Sequence, residues 1–86
     1  MKDAEAELIV SQVVAKLKAR RESLGWSLNR LAQATHLDIR GISRIEKGER
    51  SPGLNTLLRL SSALRLPLHQ VLQDLEQFTP PPAADQ

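Results

Sequence analysis

Arg40 and Arg44 stand four residues apart, and their type and spacing are the most chemically suggestive feature of this sequence. On a helix, that spacing sends both side chains out from one face. A guanidinium presents a rigid fork of donors that matches paired acceptors, such as the edge of a guanine, whereas a lysine ammonium is a point charge. Lys47 and Arg50 follow closely in the chain. Other chemistries have little to work with. The chain has no cysteine, so neither a disulfide framework nor a thiolate metal site is available. His36 and His69 lack a paired carboxylate at ligand spacing, so no metal and no cofactor is expected. There is no phosphate-cradling glycine loop and no nucleophile set, and the chain is not expected to be an enzyme.

The stretch that must position these arginines is SLNRLAQATHLDIRGISRIEKGERSP, from Ser27 to Pro52. It reads as two short helices, roughly Leu28 to Thr35 and Ile39 to Lys47, set at a sharp angle. Leu31, Ala32, Leu37, Ile42 and Ile45 supply the apolar positions, while Ser27 and Asp38 sit where helix N-caps belong. Only His36, Leu37 and Asp38 lie between the helices, a connection of helix-turn-helix length. Gly48 closes the second helix, and the proline in Glu49-Arg50-Ser51-Pro52-Gly53 prevents its continuation.

Three further helices complete the chain. Helix one runs from about Ala4 to Leu24, with Val10, Val13, Val14, Leu17, Arg21 and Leu24 recurring on one face. Leu8 falls on the opposite side and Ile9 at the border, so both are counted as spare. Gly25 ends this helix, and Trp26 precedes the Ser27 cap with Leu31 beyond it, the arrangement of a hydrophobic staple. Helix four covers Leu54 to Leu64 and presents Leu57, Leu58, Leu60, Ser61 and Leu64. Helix five begins at Pro67 and reaches about Gln77, with a stripe of Leu68, Val71, Leu72 and Leu75 that Phe78 extends. TPPPAADQ is not helical and carries little to bury. The expected organisation is one all-α domain over 1–78, followed by a disordered Pro-rich tail over 79–86, with no effector-sensing segment after helix five.

Composition agrees with a small domain of 86 residues. No apolar run approaches the ~20 residues of a membrane span, and the acidic start is unlike a signal peptide, so the cytoplasm is the expected compartment. The net charge of +2 conceals a segregation. Residues 16–65 hold eleven lysines and arginines against four acids, a net of +7, between acidic ends of −2 and −3. A basic middle is what a phosphate-facing surface leaves in a sequence.

The run GWSLNRLAQATHLDIRGISRIEKGERSPGLNTLLRLSSALRLPLHQVL resembles the Cro/repressor-type, or xenobiotic response element (XRE), helix-turn-helix family. The resemblance covers about residues 10–75. Its strongest marks are LA at 31–32, LDIRGISRIEKGERSP at 37–52 and LNTLLRLSSAL at 54–64. It implies a compact five-helix, lambda-repressor-like domain whose third helix enters the major groove of double-stranded DNA. By the same resemblance Ile39, Arg40, Gly41, Ser43 and Arg44 are the base-reading positions. Ser27, Asn29, Arg30, Lys47 and Arg50 fall to the DNA backbone, and Arg21 and Glu46 match a structural salt bridge. Arg21 lies on the apolar face of helix one, where an unpartnered charge is costly, so a partner is also expected on physical grounds.

Three positions depart from the family's pattern. Leu28 stands where glutamine is common, so helix two must approach the backbone through its N-terminal amides, Asn29 or Arg30. His36 stands where the turn usually has glycine, at some strain if the left-handed conformation is kept. Gly41 weakens the recognition helix by roughly 0.5–1 kcal/mol relative to alanine.

The resemblance implies a transcriptional regulator, a repressor or autoregulator, acting as a homodimer on a pseudo-palindrome. The stripe of Leu68, Val71, Leu72, Leu75 and Phe78 is the expected contact between copies, with helix one as a second contributor. An antitoxin or controller protein, which binds both DNA and a protein partner, and a small protein-binding adaptor are the alternatives left open.

Overall fold

The computed structural model describes residues 1–75 and contains five helices: α1 (Asp3–Ser23), α2 (Leu28–Thr35), α3 (Ile39–Glu46), α4 (Leu54–Ala63) and α5 (Leu68–Gln73). No strand occurs among the described residues, and the fold is all-α. The pairs α2–α3, α2–α4, α1–α3, α1–α5 and α4–α5 pack against one another around one core. Each helix contributes a stripe to it. These are Ile9, Val13 and Leu17 from α1, Leu31 from α2, Ile42 from α3, Leu60 and Leu64 from α4, and Val71 and Leu75 from the α5 end. Leu31, Ile42, Leu64 and Val71 are almost wholly enclosed. Burying each contributes about 1.5–3 kcal/mol, and the two from α2 and α3 lock the arginine-bearing helix to the rest.

Helix ends are fixed by local hydrogen bonds. Ser27 Oγ accepts from the Arg30 N–H at 3.1 Å, and Asp38 Oδ1 accepts from the Arg40 N–H at 2.8 Å. At the other ends α1 and α3 close on left-handed glycines, Gly25 (φ 72°) and Gly48 (φ 77°). The next amides reach back into the last turn, Trp26 N–H to Arg21 O and Glu49 N–H to Arg44 O. The same closure ends α4 without glycine. Arg65 takes φ 54° there, and Leu66 N–H donates to Ser61 O. His36 takes the left-handed conformation (φ 59°, ψ 29°) at the end of α2. Beside it, buried Thr35 satisfies its hydroxyl locally, donating to Leu31 O at 2.7 Å and accepting from the Leu37 N–H at 3.3 Å.

The structure corrects several expectations. Ile9 is not spare: it lies four and eight residues before Val13 and Leu17 and is buried with them. Leu24 turns out at the end of α1, where the chain leaves the helix, and is 40% exposed. Leu58, expected on the inward stripe of α4, lies on its outer side and is 49% exposed. Helix α3 stops at Glu46 with Lys47 as its cap, and α4 stops at Ala63. Pro67 is the N-cap of α5, which has only six residues. Val71 and Leu75 are buried in their own core, so they cannot also form a contact between copies. Leu68 and Leu72 remain half-buried at its edge. Phe78, the expected boundary at 78 and the tail over 79–86 lie outside the described residues.

Candidate nucleic-acid interface

Helix α3 is two-sided. Ile42 and Ile45 are buried on its inner face, and Ile39, Arg40 and Arg44 are exposed on its outer one, with Gly41 and Ser43 half-buried between. Two enclosed isoleucines three residues apart fix how the helix is rotated, and that rotation sends Arg40 and Arg44 outward. Its N-terminus carries a second constraint. Asp38 Oδ2 accepts from Arg40 Nη2 at 3.3 Å, while Oδ1 caps the helix. Both side chains are open to solvent, at 85% and 59% exposure for Arg40 and Asp38. The Arg40 amide, and after it the Arg40 guanidinium, hold the Asp38 carboxyl below its ordinary range.

The far end of α3 is anchored through α1. Arg21 Nε and Nη2 donate to Glu46 Oε2 and Oε1 at 2.8 and 2.9 Å, a two-pronged pair, and Nη1 donates to Trp26 O at 2.7 Å. The side chains are only 12% and 10% exposed. The Glu46 hydrogen bonds raise the affinity of Arg21 for its proton above that of a free guanidinium, against the opposing effect of burial. A bidentate pair with its third donor also satisfied is the geometry in which a buried charge is tolerated.

Exposed Lys47 caps α3, and the turn at Gly48 then brings the exposed Arg50 back alongside the helix. A Cβ at Gly41 would come 3.4 Å from Arg50 Nη1, so the Arg50 guanidinium lies against the backbone of α3 itself. Four cations, Arg40, Arg44, Lys47 and Arg50, therefore belong to α3 and its exit. On α2, Ser27, Asn29 and Arg30 are exposed near the helix start. Arg30 stacks over the Trp26 ring at 4.6 Å, and Leu28 packs against the core. His36 and His69 are both exposed, and no cluster of metal-binding side chains occurs among the described residues. No described helix is long and apolar enough to cross a membrane.

Some of the supporting contacts are not apparent from residue types. Arg20 Nε donates to Leu64 O at 3.0 Å, tying α1 to the end of α4 across 44 residues. Nothing in the run Lys18-Ala19-Arg20-Arg21 distinguishes this arginine from a solvated one. The Trp26–Arg30 stack had a usable signal, an aromatic residue four before an arginine across a cap.

The match to known proteins centres on this region. A helix-turn-helix family model matches residues 17–71. The HTH-type transcriptional regulator SutR of Escherichia coli K12 is 36% identical over 64 residues, covering 74% of this chain and 36% of that protein. Uncharacterized HTH-type transcriptional regulators of Mycobacterium bovis and Mycobacterium tuberculosis are each 42% identical over 53 residues, covering 62% of this chain and 21% of theirs. The chain thus spans about a third or less of the length of these relatives. No solved structure matches it.

Proposed function

The chain belongs to the Cro/repressor-type (XRE) helix-turn-helix family, and we propose that it is a sequence-specific double-stranded-DNA-binding transcriptional regulator, a repressor or autoregulator, that reads the major groove with α3. One observation carries the reading: the inner face of α3 is locked in the core while its outer face offers Ile39, Arg40 and Arg44 to solvent. A guanidinium fork from Arg40 or Arg44 donates to O6 and N7 of a guanine, and Ile39 meets a thymine methyl. Gly41 and Ser43 line the approach. Lys47, Arg50 and the α2 group of Ser27, Asn29 and Arg30 hold phosphates and set the register without reading sequence.

In this reading two copies bind a pseudo-palindrome, since one domain of this size spans few base pairs. Leu68 and Leu72 on α5, with exposed Leu8 on α1, supply the contact between copies. Selection from random duplexes tests the proposal. The expected product is an enriched motif of two inverted half-sites about 10 base pairs apart, centre to centre. A pool that shows no enrichment after repeated rounds contradicts it.

A further inference from the structure

We propose that Asp38 is a specificity-determining residue of this interface: its carboxylate sets Arg40 to read a base and keeps that arginine from settling on a phosphate. The inference rests on the DNA-reading role proposed for α3. Asp38 touches Arg40 at both ends, accepting from its backbone N–H at 2.8 Å and from its Nη2 at 3.3 Å. The first contact is ordinary capping, for which serine or asparagine would serve as well. The second needs a second acceptor oxygen and a negative charge, which those residues lack.

Folding does not account for that second contact. A pair as exposed as this one contributes little to stability. Its consequence is at the surface. With the backbone and the tip of Arg40 both tied to one carboxylate, the side chain is ordered before DNA arrives, which lowers the entropic cost of binding. One of the five guanidinium hydrogens is engaged, and the rest remain for a base edge. The charge acts in the same direction. Asp38 is the sole acid between Ser23 and Glu46, and it stands at the end of the helix that approaches the duplex. Without the matching base, Arg40 must leave Asp38 to find a phosphate, and the uncovered carboxylate then faces the polyanion. Specificity comes from this penalty on the wrong site as much as from the contact at the right one.

The test uses the full chain, the duplex enriched by selection and a scrambled duplex. Asp38→Asn keeps a capping oxygen but loses the charge and the acceptor for Nη2, and Asp38→Ser is a second capping variant. Both should fold, as judged by melting. Affinity for the scrambled duplex should rise about five- to tenfold, the scale of removing one like charge beside a phosphate. Affinity for the enriched duplex should change much less, so the ratio between them falls by at least about threefold. In an Arg40→Ala background the same changes should leave the ratio unaltered, because no guanidinium remains to be oriented. Equal gains on both duplexes with Arg40 present, or an unchanged ratio in both capping variants, would overturn the role of Asp38. A parent chain that does not distinguish the two duplexes overturns the DNA-reading role itself.

Discussion

Removing either member of the Arg21–Glu46 pair should cost far more than an ordinary surface change. In Glu46→Ala the guanidinium keeps its bond to Trp26 O, while Nε and Nη2 lose partners at 2.8 and 2.9 Å in a place where the side chain is only 12% exposed. In Arg21→Ala the carboxylate loses both donors. Breaking a buried pair by removing one partner costs about 3–5 kcal/mol. At 0.05–0.15 kcal/mol per residue, a domain of this length has roughly 4–13 kcal/mol in total. The loss is therefore a large share of the fold's stability. With about 4–8 °C of melting temperature per kcal/mol, each single variant should melt at least about 12 °C below the parent. Thermal denaturation followed by circular dichroism measures this. An Arg21→Met/Glu46→Leu double variant should recover part of the loss, since no charge is left buried. Single variants that melt within about 2 °C of the parent, against the shift expected from a buried pair, would refute the reasoning.

Other substitutions separate reading, holding and folding. Arg44→Ala should cost about 1–3 kcal/mol on the enriched duplex and relax base preference at one position per half-site, as reselection with the variant would show. Lys47→Ala and Arg50→Ala should weaken enriched and scrambled duplexes alike. Each should also flatten the slope of log K against log salt by about one for every phosphate left without its cation in each bound copy. Arg65→Gly should stabilise the domain by about 0.5–1 kcal/mol, relieving a left-handed residue at the end of α4 despite glycine's greater freedom when unfolded; denaturant titration reads it. Asp38, held below its ordinary value of about 3.8, stabilises the fold fully above that value. The contribution disappears as pH falls through the lowered folded value, and acid unfolding of Asp38→Asn should lack this dependence.

The helices are legible in the sequence where periodicity and caps agree. Ser27 and Asp38 mark the starts of α2 and α3, and Ile42 with Ile45 shows which face of α3 turns inward. The ends of α1, α3 and α4 are each legible to within one residue, and glycine marks the left-handed closure at Gly25 and Gly48, but no residue type signals that Arg65 takes that conformation after α4. Ile9 reads as spare from α1 alone because a border residue on a long helix is buried by whatever packs there, and α5 is not visible to that periodicity. Val71 and Leu75 suggest a contact between copies for the same reason: a stripe shows that a face is buried, not against which neighbour. Within the candidate interface, residue types indicate the outward arginines. The orientation of Arg40 by Asp38 and the seat of Arg50 over Gly41 depend on side-chain geometry that spacing does not encode.

The central claim, that this surface binds duplex DNA, is tested most directly by titrating the chain against one labelled sequence in double- and single-stranded form across a range of salt concentrations. Binding to the duplex should fall steeply with salt, with log K linear in log salt, and binding to the single strand should be much weaker. Equal affinity for the two forms, or duplex binding insensitive to salt, would contradict the claim.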